Sequence, residues 1–237
     1  KVAEARRAPF ALRALLEDDE QAKSVALMKW LAVQTKRLGT KIANNTYVVG
    51  GAVRDLVLDK PIKDVDVVID AVRAGHDSRW LAKQLMARIP NETSVVEDDL
   101  GVSVVQVKGA WMLDGLDMQG QSIDIANARE ESYGDRSKGK PATVTPVKIE
   151  KDVKRREFTF NTLMLRMADL AKGPDKRDII DMTGCGLDDL RAGRMCTPAD
   201  PDKTFRDDPT RMARALKFMA KYGFTGFGWW EAQSLVG

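Results

Sequence analysis

Two carboxylates two residues apart, Asp64 and Asp66, stand inside the apolar run DVDVVID. In a strand, side chains two apart share a face, so both carboxylates project together while Val65 and Val67 turn into packing. Like charges held side by side repel, and a divalent cation between them removes the repulsion. Hard oxygen ligands at this spacing suit Mg²⁺, which takes one or two carboxylates together with substrate phosphates. A solvated strand face also reads D-x-D, so the surroundings must decide. Upstream, Gly50 and Gly51 stand where a β-branched run, TYVV, meets a helical one, AVRDLVL. Glycines there let backbone N–H groups approach a phosphate, and a helix N-terminus favours negative charge. Arg54, in the first turn of that helix, reaches toward the same anion. Asp124, in the alternating segment SIDIANA, is a candidate third carboxylate from a neighbouring strand. Three carboxylates around two metals is the arrangement for in-line phosphoryl or nucleotidyl transfer.

The elements that must position these residues are short and mixed. Residues 1–40 read as helix, with Leu12, Leu15 and Leu16, then Val25, Met28, Leu31 and Leu38 at helical spacings. Residues 71–89 return to helix, and VSVVQVKG and SIDIANA follow as strands. From Glu130 to about Glu150 the chain is polar, with Gly134, Gly139, Pro141 and Pro146, and reads as a long mobile loop. DIIDMTG is a short strand, and DDPTRMARALKFMAKYGF is an amphipathic helix stopped by Gly223. In that helix Met212, Leu216 and Met219 are assigned to the core, with Arg211 and Arg214 pointing elsewhere. The fold class is α+β, a small mixed sheet with helices followed by a helical segment. The expected divisions are an N-terminal helical extension over 1–40, a head over 41–172 and a helical neck over 173–237.

Composition excludes more than it selects. The 237 residues suffice for a substantial core, and 38 Lys plus Arg against 35 Asp plus Glu leave a net charge of only +3. Charge alone therefore does not demand nucleic acid. No apolar run approaches the roughly eighteen residues of a membrane helix, and the charged opening KVAEARRAPFALRALLEDDE lacks a signal peptide's apolar block. A cytoplasmic location is the expectation, and the missing initiator Met suggests a trimmed or processed start. Cys185 and Cys196 make neither a disulfide framework nor a zinc site, and both read as small apolar residues. His76, the single histidine, reads as a surface residue.

VVGGAVRDLVLDKPIKDVDVVID resembles the signature of the tRNA nucleotidyltransferase/poly(A) polymerase family of bacterial and eukaryotic type, a branch of the DNA polymerase β-like nucleotidyltransferases. The G-G-x-V-R-D and D-x-D positions are all present. KRREFTFNTLML is similar to that family's R-R-D-F-T-I-N-A segment, IIDMTGCGLDDLRAG to D-x-x-x-G-x-x-D-L, and RDDPTRMARALKFMAKYGF to E-D-x-x-R with its following helix. The resemblance spans roughly residues 46–224. It implies that Asp64 and Asp66 hold catalytic Mg²⁺ (Mn²⁺ as a substitute), with Asp124 the third carboxylate. It implies that Gly50, Gly51 and Arg54 hold a triphosphate, and that Arg156 and Asn161 contact the nucleotide's sugar and phosphates. Asp208 and Arg211 would present hydrogen-bonding edges to the base, selecting C or A without a nucleic-acid template. Arg214, one turn on, would reach the phosphates.

The implied activity is Mg²⁺-dependent addition of CMP and AMP, from CTP and ATP, to an RNA 3′ end, above all the CCA end of tRNA. A poly(A) polymerase and a catalytically silent RNA-binding subunit are the alternatives. Three departures stand out. Glu157 replaces the Asp after the arginine pair, which bears on ribose discrimination. Asp207 replaces Glu, and Lys217 stands where Arg is common. Family members continue with helical body and tail regions, so the neck reads as incomplete at Gly237. Residues 1–40 would pack on the sheet, mediate self-association or replace what a shortened C-terminus lacks. The basic residues Arg136, Lys138, Lys140 and Lys148 read either as contacts to RNA phosphates or as a solvated loop. Trp229 and Trp230 would stack on bases or, more simply, pack.

Overall fold

The structure, a computed structural model, describes residues 6–10, 19–98, 100–134, 141–172, 177–224 and 226–227. Eight strands form one mixed sheet: β1 (Arg6–Phe10), β2 (Thr46–Val49), β3 (Asp66–Ile69), β4 (Thr93–Glu97), β5 (Val102–Val107), β6 (Ser122–Asn127), β7 (Met164–Arg166) and β8 (Arg177–Asp181). Their order is β1-β8-β7-β2-β3-β6-β5-β4. Neighbours are antiparallel except β3 and β6, which run parallel with Asp66 in register with Asp124.

Period-two alternation divides the buried residues between the sheet's two faces. Val48, Val67, Ile69, Ile123, Ile125 and Leu165 join the larger apolar cluster. Helix α1 (Asp19–Leu38) lays Val25, Leu27, Met28, Leu31 and Ala32 into the same cluster, as does α3 (Ser78–Met86) with Leu81, Ala82 and Leu85. Tyr47, Val49, Val68, Ala128, Met164 and Ile180 form a smaller cluster with Ile149 and Val153 of α4 (Ile149–Arg155). By the same alternation Asp66 and Asp124 lie on the α4 face of the sheet.

Several expectations are corrected. Within residues 1–40, read as helix, Arg6–Phe10 is strand, pairing antiparallel with β8 at the sheet edge, and helix begins at Asp19. An edge position tolerates Pro9, which has no N–H for a second neighbour. Leu12, Leu15 and Leu16 lie outside the described residues. The stretch 71–89 is two helices, Ala71–Ala74 and α3, separated at Gly75 (φ 81°) with Asp77 capping the second through its carboxylate on the Trp80 N–H. The segment 130–150 is not simply loop. Arg129–Ser132 pairs antiparallel with Thr143–Pro146, and α4 begins at Ile149; Arg136, Lys138, Gly139 and Lys140 lie outside the described residues. The edge strand β4, unrecognised in the sequence, and β1 widen the sheet beyond the small one expected.

After β8 come α5 (Gly186–Ala192), α6 (Pro201–Asp207) and α7 (Thr210–Tyr222). The Asp181 carboxylate accepts from the N–H groups of Thr183, Gly184 and Leu187 and from the Thr183 hydroxyl. The doubled glycine has two separate reasons. Gly184 adopts φ 76°, and a Cβ on Gly186 would lie 2.6 Å from the Thr159 carbonyl oxygen. This close approach seats α5 against the 3₁₀ turn Thr159–Thr162, where Thr159 Oγ1 also donates to Asp189 at 2.7 Å.

Candidate active site

Asp66 is the first residue of β3, and Asp64 precedes the strand rather than lying in it. Val65 and Val67 are buried as expected, Asp66 is half-buried and Asp64 is exposed. Burial, then the neighbouring charges of Asp124 and Asp64, push the Asp66 carboxyl up to about 6, despite relief from Arg156 and Arg54. Asp124 is raised for the same reasons, burial first, then Asp64 and Asp98. Among the described residues no three carboxylate, imidazole or thiolate groups form a ready-made metal cage. The donor set nevertheless suits a hard cation: all ligands are oxygens, two stand in register on adjacent strands, and the repulsion between their charges outweighs the relief from Arg156 and Arg54.

Gly50 precedes α2 (Gly51–Val57) with φ 68° and ψ −129°, a backbone conformation that glycine adopts without steric cost. A Cβ there would stand 3.7 Å from Asp66 Oδ2, so the glycine turn and the carboxylate are direct neighbours.

Arg54 is only 7% exposed. Its Nε donates to Asp55 (2.9 Å), one terminal nitrogen to Asn161 Oδ1 (2.9 Å) and the other to the Tyr222 hydroxyl (2.7 Å). The guanidinium also lies over the rings of Phe218 and Tyr222, at 5.0 and 4.8 Å. Tyr222 donates in turn to Asp55, and burial followed by this bond pushes its hydroxyl up to about 12. Arg54 therefore ties the glycine turn to the 3₁₀ turn and to α7, and each of its three nitrogens already has a protein acceptor.

Arg156 makes a two-nitrogen contact to the fully buried Asp152 (3.0 and 2.9 Å). Arg155 binds the other Asp152 oxygen and also Glu131, and the Arg129 N–H donates to Asp152 as well. Burial pushes Asp152 up, but Arg156 and Arg155 outweigh it and hold the carboxyl below the usual range. Glu131 is likewise held low against its burial by Arg155, the Tyr133 hydroxyl and Arg129.

Asp208 follows α6 and is buried. One oxygen accepts from the Thr210 N–H and hydroxyl, and the other from Arg214 at 3.1 Å, with Arg211 Nε at 3.5 Å. Arg211, 5% exposed, also donates to the Thr204 carbonyl and the Tyr133 hydroxyl. Its Nε has no hydrogen bond, an orphaned buried donor beside Asp208. Arg214 spans Asp208 and Glu157, the latter at 3.5 Å, and Glu157 accepts from Asn161 Nδ2 at 3.1 Å.

The helix-face expectation for α7 is overturned. Arg211 and Ala215 are buried, whereas Met212 and Leu216 are 59% and 65% exposed; Met219 packs partly against the core. Phe158, Phe160, Phe218 and Phe224 form an aromatic cluster that turns the Arg211–Ala215–Phe218–Tyr222 stripe inward. His76 is exposed, as expected, and stacks on Trp80 at 3.8 Å. Trp229 and Trp230 lie outside the described residues.

The structure thus brings Asp66, Asp124 and Gly50 to one place and links Arg54 to Asn161, and Asp208 to Arg211 and Arg214. The sequence reasoning missed Asp55, Glu131, Tyr133, Asp152 and Tyr222. Two signals were available: Arg129, Glu131 and Tyr133 alternate on one strand face, and Tyr222 lies three helical turns beyond Arg211.

Comparison with known proteins places this geometry. A family model described as the poly A polymerase head domain matches residues 46–196. A tRNA nucleotidyltransferase of Schizosaccharomyces pombe is 29% identical over 212 residues, 88% of this chain and 42% of the relative. A CCA-adding enzyme of Geobacillus stearothermophilus is 32% identical over 181 residues, 76% of this chain and 37% of the relative. Among solved structures, an apo CCA-adding enzyme superposes with a TM-score of 0.64 at 26% identity, covering 93% of this chain and 45% of that one. A CCA-adding enzyme in complex with ATP gives 0.61 at 26%, covering 93% and 43%. The chain spans about two fifths of the length of the curated relatives it matches.

Proposed function

Since this chain belongs to the poly A polymerase head-domain family, we propose that it carries the nucleotidyltransferase head and base-selecting neck of an enzyme that adds CMP and AMP to the 3′ end of tRNA, completing CCA. The observation that carries the reading is one connected site. Asp66 and Asp124 stand in register at one end, and Asp208 with Arg211 and Arg214 at the other, joined through Glu157, Asn161 and Arg54.

In this reading Asp64, Asp66 and Asp124 hold divalent cations. Bound Mg²⁺ would supply Lewis-acid charge to the attacking 3′-hydroxyl and to the departing pyrophosphate. The Gly50–Gly51 turn leaves room for phosphate oxygens beside Asp66. Arg156, fixed by Asp152, sets a positive charge close enough to lower the Asp66 carboxyl and to stabilise charge on the transferring phosphate. Arg54 orients Asn161 toward the sugar. Asp208 and Arg211, paired at 3.5 Å, supply an acceptor and donors for a base edge. A head built on the eight-stranded sheet from β1 through β8, a helical neck after it and a cytoplasmic location complete the reading; among the described residues no helix is long and apolar enough to cross a membrane.

The test is extension of tRNA transcripts ending before CCA, after C and after CC, with each nucleoside triphosphate supplied separately. Two C and one A, then arrest, lost in the Asp64→Ala/Asp66→Ala variant, is the expected result. Unlimited A addition would move the reading to a poly(A) polymerase. Extension that persists in the double variant would remove the carboxylates from the chemistry.

A further inference from the structure

Glu157 stands where the resembling segment of the family has Asp, and its extra methylene is put to use. One carboxylate oxygen accepts from Asn161 Nδ2 at 3.1 Å, and the other lies 3.5 Å from a terminal nitrogen of Arg214. That same nitrogen donates to Asp208 at 3.1 Å. The Glu157 side chain is 20% exposed and that of Asp208 10%, whereas Arg214 is 44% exposed and has no other acceptor among the described contacts. One guanidinium nitrogen is thus shared by two largely buried carboxylates, one from the segment after α4 and one from the junction between α6 and α7. Moving the 157 carboxylate back by one methylene, about 1.5 Å, would leave it able to serve Asn161 or Arg214 but not both.

We propose that Glu157 is a positioning residue for base selection: through Arg214 it fixes the Asp208 carboxylate, so that base choice in this chain depends on a residue outside the α6–α7 segment that carries Asp208 and Arg211. The proposal rests on the base-reading role given to Asp208 above. It assigns Glu157 a duty separate from contact with the sugar, and the two duties have different signatures. A sugar contact discriminates nucleoside from deoxynucleoside triphosphates and is blind to the base. A brace on Asp208 discriminates among bases and is blind to the 2′-hydroxyl.

The experiment is equilibrium binding of CTP, ATP, UTP, GTP and dCTP to the 237-residue chain. It compares wild type, Glu157→Asp, Glu157→Gln, Arg214→Met and the Glu157→Asp/Arg214→Met double variant, with thermal melting to confirm folding of each. The preference for CTP and ATP over UTP and GTP is expected to fall about tenfold in Glu157→Asp, the scale of one charge-assisted hydrogen bond, while the CTP/dCTP ratio moves less than about twofold. Arg214→Met should produce the same loss, and the double variant no more than either single one, because the two residues act in series. Glu157→Gln, which keeps its length but not its charge, should fall between. A changed CTP/dCTP ratio with base preference intact would overturn the proposal, as would losses that add in the double variant. Wild type that binds all nucleotides weakly and alike would instead remove the functional reading on which the proposal stands.

Discussion

Asp66 and Asp124 stand opposite one another across the parallel pair β3–β6, two carboxylates in register on adjacent strands. Burial and mutual repulsion push Asp66 from the ordinary carboxylate value of about 3.9 up to about 6. A folded-state value above the unfolded one means that ionised Asp66 opposes folding: the chain loses stability as pH rises from about 4 to 6. Asp66→Asn should therefore stabilise the cation-free protein at pH 7 by on the order of 1–2 kcal/mol. It should also abolish any rise in melting temperature on adding Mg²⁺ or Mn²⁺. An asparagine variant that melts below wild type at neutral pH without divalent ions would contradict this account.

Asp152 has the opposite sign. Its folded value lies below the unfolded one because Arg156 and Arg155 outweigh its burial, so its contribution is present above about pH 4 and is lost as pH falls through the depressed value. Asp152→Asn leaves two half-buried guanidiniums short of a counter-charge, Arg155 keeping only Glu131, and should cost about 2–4 kcal/mol at pH 7. In urea titrations the gap from wild type should narrow progressively below pH 4. A gap that stays constant down to pH 2 would show that the ion pairs are not its source.

Arg54 joins three elements, and its removal takes from the buried Asp55 its nearest cation, leaving it the Tyr222 hydroxyl and the more distant Lys221 at 3.7 Å. Arg54→Met should cost about 3–5 kcal/mol, and Tyr222→Phe about 1–2 kcal/mol through the bonds lost to Arg54 and Asp55. Denaturant midpoints measure both. Wild-type stability in Tyr222→Phe would mean that α7 is held to the glycine turn by the aromatic cluster alone.

The exposed and buried faces of α7 make a further check. Leu216→Gln should change stability by no more than about 0.5 kcal/mol, whereas Ala215→Leu, forced into the packed side, should cost about 1–3 kcal/mol. The reverse ranking would restore the face assignment made from periodicity.

The carboxylate pair, the glycine turn and the order of the four motifs were legible in the residues themselves. Each motif is local, depending on neighbours within a few positions, where backbone geometry dictates direction; strand alternation held for SIDIANA but not for D-x-D, since Asp64 precedes the strand that Asp66 begins. So was Asp124, as a candidate, because its strand announced itself by alternation. That it pairs in register with Asp66 was decided only by topology, which set β6 parallel to β3 across more than fifty intervening residues. The partners of the charged groups were equally non-local. Arg54 meets Asn161 and Tyr222 over 107 and 168 positions, and Arg211 meets Tyr133 over 78. Periodicity showed that α7 has two faces but not which one is buried. Met212, Leu216 and Met219 compete for the interior with the stripe of Arg211, Ala215 and Phe218, and the Phe158–Phe160 turn and the Asp208 carboxylate together choose the arginine's side. The sequence carries the chemistry of each group; the long-range packing of charge against charge and ring against ring settles which groups meet.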